Sequence, residues 1–294
     1  MNLRELEYLV AIAEDRHFHK AAERCCVSQP TLSGQLKKLE QELGVQLVDR
    51  NNRQVIMTEV GQAVSEQARV VLTAAKAIKE IAQTFHDPMA GELHVGLIPT
   101  VAPYLLPLIM PALKKHYPKL KLWLHEQQTA VLLKQLRKAE LDLLILALPV
   151  ETNEFSEINL FNEAFLLAVP KDEKLAKKNH VSLSDLDDKE MLLLEEGHCL
   201  RGQALDVCFS AGASEQSGFQ ATSLETLRHM VAEGLGITLL PALSIPKNVH
   251  RGDNIRYLPF SNPQPSRRIG MLYRKGSYRE EAFSKISEVI QTVV

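Results

Sequence analysis

Apolar residues recur at three- and four-residue spacing through the first 58 positions, in three short blocks that predict helices. The first places Leu3, Leu6, Leu9, Val10 and Ala13 on one face behind Asn2 as a cap. The second turns Phe18, Ala21, Ala22 and Cys25 inward, and its alanines let a neighbouring helix approach closely. The third follows Cys26-Val27-Ser28, with Ser28 as N-cap and Pro30 in the first turn, where proline loses no hydrogen bond. Its buried stripe is expected to be Leu32, Leu36, Leu39 and Leu43. The opposite face displays Gln29, Thr31, Ser33, Gln35, Lys37 and Lys38. Such side chains suit base edges and phosphates when a helix enters a DNA major groove, although the same face on a small bundle would simply be solvated. A hairpin is predicted from Val45 to Arg50 and Arg53 to Met57 around Asn51-Asn52, with Arg50 and Arg53 at its tip as wing residues.

From Thr58 to Phe85 the spacing predicts one long helix. Val64, Ala68, Val71, Ala75, Ile78, Ala82 and Phe85 alternate at four and three residues, an a/d seam that needs a partner. The same helix of a second copy is the simplest partner, and packing within the chain is the other reading. Asp87 to Gly91 then breaks the pattern as a linker. Beyond it, apolar strands at Leu93–Ile98, Leu120–Leu124 and Leu141–Leu148 are separated by helices from Val101 and Thr129. A second set comprises Phe165–Val169, Met191–Leu194, a helix from Leu200, Phe219–Thr222, a helix from Leu224, and Ile237–Leu240. Arg268–Tyr273 and a helix Arg279–Thr292 return to the first set. The expected fold is therefore α/β with an N-terminal all-α winged helix-turn-helix domain at 1–58. A linker helix and hinge follow at 59–90, then a two-lobed effector domain at 91–294. Its lobes are roughly 91–162 with 267–294, and 163–266. Two crossovers between such lobes leave a cleft at strand C-termini, where small ligands bind.

Composition narrows the function. A chain of 294 residues, 45% hydrophobic and 24% charged, builds its cores without staples. The net charge of -2 exerts no global pull on nucleic acid, so a DNA partner must be argued locally. From Arg16 to Arg53 seven Lys/Arg stand against four Asp/Glu, a local +3. The N-terminus carries charge from Arg4 onward with no apolar leader core, and the longest apolar stretches fall short of the ~20 residues of a membrane span. A cytoplasmic protein without membrane contact is expected. His198, Cys199 and Cys208 lack a fourth ligand at zinc spacing, and Gly202 is followed by Gln203 rather than a P-loop lysine. Neither metal nor cofactor is expected.

Four cysteines are too few for a disulfide framework, and cytosolic disulfides are usually redox-sensing or catalytic. Cys199 stands at a predicted helix start, beside His198 and two residues before Arg201. A thiol attacks peroxide only as thiolate, and all three features favour the anion. Thr100 and Thr129 each lie where a strand gives way to a helix, so their hydroxyls can converge on one cleft. Each also reads as an ordinary N-cap, and His198 as a surface residue. Cys208 aligns with Leu200 and Ala204 at helical spacing, the pattern of an inert core thiol. Cys25 reads as packing, and Cys26 carries no evident role.

Ala21-Ala22, Ser28-Gln29-Pro30-Thr31-Leu32-Ser33 and Leu39-Glu40-Gln41-Glu42-Leu43-Gly44 together resemble the winged helix-turn-helix of LysR-type transcription regulators. With the linker helix and an effector domain like periplasmic binding proteins, the resemblance covers the whole chain. It implies a homo-oligomer, a dimer of dimers, reading dyad-symmetric promoter DNA and acting with RNA polymerase. Gly96-Leu97-Ile98-Pro99-Thr100, Gly197-His198-Cys199-Leu200-Arg201 and Ala221 to Leu227 are similar to the members of that family that sense hydrogen peroxide. That similarity implies that Cys199 reacts with peroxide and closes a disulfide with Cys208. It also implies that Thr100, Thr129 and His198 form the peroxide pocket, where Arg201, two residues past Cys199 at the helix start, is expected to steady the thiolate. Gly202 departs from the pattern, which has an acidic residue there, and weakens the helix start. If Cys199 to Phe209 is helical, the two sulfurs lie roughly 13 Å apart along the axis on opposite faces. A disulfide needs α-carbons within about 7 Å, so oxidation must rearrange the helix. A regulator gated by a metabolite, with structural cysteines, is the alternative. A thiol peroxidase would leave residues 1 to 85 without a purpose.

Overall fold

The computed structural model describes residues 1–51, 54–84, 87–246 and 254–294, without the side chains of 50, 51, 54, 76, 77 and 79–84. Arg53 and Phe85 lie outside the described residues, as do the side chains of Arg50 and Ala82. The chain forms two compact units, Met1–His86 and Asp87–Val294.

The first unit contains α1 (Leu3–Asp15), α2 (Phe18–Arg24), α3 (Gln29–Leu43), the hairpin β1 (Val48–Asn51) and β2 (Gln54–Met57), and α4 (Glu59–Thr84). Asn2 closes a capping box with Glu5 at the start of α1, satisfying two backbone donors that the helix leaves unpaired. Leu9, Ile12, Ala21, Leu32, Leu36, Leu39 and Leu47 form the core. Leu43 does not join it: it is 38% exposed, because α3 ends there and Gly44 turns the chain away with φ of 69°. Lys38 does not stand free on the outer face of α3. It pairs at 3.2 Å with Glu5, whose side chain is 1% exposed. Burial alone would push the Glu5 carboxyl up, but the hydrogen bond from the Asn2 backbone and the Lys38 ammonium together hold it below the usual range.

Thr58 starts α4 by accepting from the Gly61 N–H at 2.9 Å while donating to the Gln46 and Leu47 carbonyls. The first half of the helix lies against α1: Arg69 pairs with Glu14 at 3.1 Å, Ala68 is buried, and Val64 packs on the core. The predicted seam is thus divided. Val64 and Ala68 are covered by the chain itself, while Val71 is exposed and Ile78 is 69% exposed.

The second unit begins with β3 (Gly91–Leu97), α5 (Ala102–His116), β4 (Leu120–Glu126), α6 (Thr129–Arg137) and β5 (Leu143–Leu148). After β6 (Phe155–Pro170) come β7 (Glu190–Leu194), α7 (Cys199–Ala211), β8 (Ser214–Ala221), α8 (Leu224–Ala232) and β9 (Thr238–Pro241). β10 (Ile255–Pro259), β11 (Ser266–Arg274) and α9 (Glu280–Val293) complete it. β3 pairs in parallel with β4 and β5, and β11 pairs antiparallel with β5 and β6. β6 runs on to pair with β9 and β10. One core gathers β3 to β5, α5, α6, β11 and α9, and the other gathers β7 to β10, α7 and α8. Sequence pattern marks only Phe165–Val169 of β6. Ser156, Glu157, Asn159 and Asn162 hide the first half, which alternates between buried and solvated faces. β10, too, was not anticipated. No described helix is long and apolar enough to cross a membrane.

Gly61 fixes how α4 meets the wing. A methyl group there would fall 1.9 Å from the Leu47 carbonyl oxygen, the acceptor that Thr58 uses. Gly61→Ala is expected to destabilise the N-terminal unit by about 2 kcal/mol, read as a lower midpoint in denaturant unfolding of the full chain.

Candidate functional site

The N-terminal unit offers one polar helix face. Ser28 caps α3 by accepting from the Thr31 N–H at 3.3 Å, and its hydroxyl meets that of Thr31 at 2.7 Å. Gln29, Pro30, Thr31 and Lys37 are exposed beyond it, with Ser33 and Gln35 half-exposed. The face is formed because Leu32, Leu36 and Leu39 hold the other side of the helix in the core.

In the second unit, β3 and β4 are neighbouring parallel strands, so the segments leaving their C-terminal ends are adjacent. Thr100 follows β3 and Thr129 is the first residue of α6, beyond β4. Both therefore stand at one sheet edge, the place where such folds bind ligands. The loop that ends in Cys199 meets the same edge: a methyl group at Gly197, where φ is 93°, would fall 2.4 Å from Oε1 of Gln128. Cys199 itself is half-buried and packs on the core of β3, α5 and α6. Thr100 and Thr129 thus share this sheet edge, and Cys199 packs on the core below it. His198 occupies the N-cap of α7 with its side chain 5% exposed, 3.8 Å from Glu195, and makes no side-chain capping bond.

The polar groups of the cleft are unequally satisfied. The Thr129 hydroxyl oxygen is buried with no hydrogen-bond partner among the described residues, and so is Oε1 of Gln203, one turn along α7 from Cys199. The Thr100 hydroxyl accepts from Nη1 of Arg267 at 2.9 Å, and its carbonyl accepts from Nη2 at 3.0 Å. Having accepted from a cation, that hydroxyl keeps its own proton to donate. Arg267 is fully enclosed, pairs with Glu163 at 2.8 Å, and lies 6.0 Å from the centre of the Phe165 ring. Sequence reasoning passed over it. The available signal was alternation: Ile269 and Met271 are buried on the strand face that also carries Arg267.

Arg201 does not point a free charge at the cleft. Its guanidinium makes two 2.6 Å bonds to Glu215 and a third, at 3.0 Å, to the Leu194 carbonyl. The pairing raises the arginine's affinity for its proton and holds the Glu215 carboxyl below its usual range. The first turn of α7 is thereby tied to β7 and β8.

Both central cysteines are free thiols on one continuous helix. Nine residues at about 1.5 Å each put them about 13 Å apart along the axis and half a turn out of phase. They consequently enter different cores. Cys208 is completely buried in the core opposite to that of Cys199, with its sulfur 3.3 Å from the sulfur of Met191. Burial pushes its thiol up to about 11. Among the described residues no group of three metal-ligating side chains occurs.

A DNA-reading helix in a winged unit, joined to a two-cored α/β unit with a cleft at its strand ends, defines a bacterial transcription regulator with an effector domain. Residues 3–62 match the bacterial regulatory helix-turn-helix model of the lysR family, and residues 86–294 match the LysR substrate binding domain. The chain belongs to the LysR family. It is 52% identical to the DNA-binding transcriptional dual regulator OxyR of Escherichia coli K12 over 99% of its own length and 95% of the relative's. To the hydrogen peroxide-inducible genes activator of Haemophilus influenzae it is 48% identical, covering 100% of this chain and 97% of that one. The full-length structure of OxyR C199D from Pseudomonas aeruginosa matches with a TM-score of 0.79 and 38% identity, covering 100% of this chain and 95% of that one.

The burial of Cys208 has a chemical consequence. Iodoacetamide at neutral pH is expected to modify Cys199 and the exposed Cys26 in the folded protein while leaving Cys208 intact. Cys208 labelling should appear only when the helix opens or the chain unfolds, as peptide mass spectrometry would record.

Proposed function

We propose that this chain is a hydrogen peroxide-responsive transcription regulator in which Cys199 is the sensor and Cys208 its resolving partner. The observation that carries the reading is that a single helix holds the two thiols in separate cores. The names of the curated relatives support the same direction.

The Cys199 thiolate attacks one peroxide oxygen, the O–O bond breaks, and the departing hydroxide takes up the proton that the thiol released, leaving sulfenic acid and water. Thr100 and Thr129 hold the two oxygens. Thr100 is the better donor to the leaving oxygen, since Arg267 draws electron density from its hydroxyl. His198 closes the pocket at the helix start. Cys208 then attacks the sulfenic sulfur, a second water leaves, and the disulfide completes a net loss of two hydrogens. Because Cys208 is buried and protonated in place, this second step waits for α7 to unravel. The refolded segment shifts the lobes and, through the oligomer, the spacing of the DNA-reading helices.

In this reading Ser28, Gln29, Pro30, Thr31, Ser33, Gln35 and Lys37, with Arg50 and Arg53 of the wing, contact promoter DNA. α4, whose Val71 and Ile78 are exposed, joins two copies through Val71, Ala75, Ile78 and Ala82, and two dimers assemble on a dyad-symmetric site. The protein works in the cytoplasm, engages RNA polymerase, and consumes peroxide as a signal rather than as a substrate for turnover.

A stoichiometric dose of peroxide is expected to lighten the peptide spanning Cys199 and Cys208 by two hydrogens and to change the length of promoter DNA protected by the full-length protein. Cys199→Ser should abolish both effects, and Cys208→Ser should halt at sulfenic acid. An unchanged footprint with an unmodified peptide would return the regulator to metabolite gating.

A further inference from the structure

The buried Arg267–Glu163 pair stands where the peroxide pocket meets both lobes. Removing two charges from water is expensive, and a fully enclosed pair is weak evidence for stability alone. Here each side chain is almost inaccessible, 0% and 2% exposed, and every strong contact leads toward the pocket or the opposite lobe. Glu163 and Arg267 face each other in register on β6 and β11, the two strands on which the chain crosses between lobes. One carboxylate oxygen takes Nε of Arg267 at 2.8 Å. The other accepts from the Leu243 N–H at 2.9 Å, in the turn that follows β9. The remaining two guanidinium nitrogens are spent on Thr100.

We infer that Glu163 is a positioning residue for peroxide reduction, holding the Arg267 fork on Thr100 and making the donor strength of Thr100 depend on the turn at Leu243. Without that carboxylate, the guanidinium keeps its charge but loses the anchor that fixes its plane. A rotation carries Nη1 off the hydroxyl, and the hydroxyl is no longer aimed or polarised toward the leaving oxygen. The inference rests on the proposed reaction of Cys199 with peroxide.

The test separates O–O cleavage from thiol reactivity in general. Peroxide leaves as hydroxide and needs a proton, whereas iodoacetamide leaves iodide and needs none. Both rates are measured at the Cys199 peptide by mass spectrometry, in the full-length protein and in Glu163→Gln. The expected result is a peroxide rate lowered roughly tenfold or more, with alkylation changed less than about twofold. Because an unpaired buried arginine destabilises the domain, a second variant removes both charges, Glu163→Leu with Arg267→Met. The same selective loss is expected there. Parallel slowing of both reagents, or a wild-type peroxide rate in either variant, overturns the role of Glu163. A wild-type protein inert to peroxide overturns the functional reading itself, a result distinct from the other two.

Discussion

The continuity of α7 is the constraint on which the rest depends. As long as Cys199–Ala211 is helical, its two thiols are about 13 Å apart along the axis and belong to different cores, and no disulfide geometry is within reach. The helix is held at four buried positions, Leu200, Ala204, Cys208 and Ala211, and at one ion pair, Arg201 with Glu215. Exposing Leu200 alone costs about 1.5–3 kcal/mol. A new sulfur–sulfur bond must therefore offset lost packing, and the balance between these two arrangements sets how readily the switch is thrown and reset.

The pocket is assembled from chain segments that owe their nearness to the sheet. Thr100 and Thr129 meet because β3 and β4 are parallel neighbours, each followed at once by a helix. Cys199 reaches them from the opposite lobe, across the contact of Gln128 with Gly197. A cleft made in this way joins its chemistry to the relative position of two lobes. The crossovers β6 and β11 are the mechanical link, and the only charged side chains described as nearly fully enclosed along their paired registers, Glu163 and Arg267, sit on them.

Much of this was legible in the residues. Helical spacing located α1 to α4, Ser28 and Pro30 fixed the start of α3, and alternation of strand and helix gave the effector domain. The junction positions of Thr100 and Thr129 and the helix start at Cys199 are local signals, but on their own they fit ordinary caps as well, and it was the family resemblance that singled these residues out. What was not legible depends on distance along the chain. Arg267 reads as half of a solvated Arg-Arg pair until β6 is laid beside it, and its contact with Thr100 spans 167 positions. The first half of β6 was obscured by Glu157, Asn159 and Asn162, which stay on its solvated side and break the apolar run. Arg201 was read as a charge for the thiolate, yet Glu215 competes for it at 2.6 Å from a strand that pattern alone does not place opposite.

The start of α7 is built to be weak. His198 makes no capping bond, so the first backbone N–H groups of the helix have no side-chain acceptor there. Gly202 follows within the first turn, where glycine costs about 1 kcal/mol relative to alanine. Packing does not demand it: a methyl group at Gly202 would meet nothing within 4 Å. Just upstream, Gly197 adopts the left-handed conformation that an L side chain resists, and Gln128 fills the space a side chain would need. Ala204, Cys208 and Ala211 seat the later turns by burial, whereas the first turn is held by Leu200 and the Arg201–Glu215 pair. In the proposed switch, such a gradient would direct unravelling to the end that carries Cys199. The sulfur that has reacted can then be released from one core and carried toward the other, while Cys208 and the turns around it keep a surface on which the new bond can form.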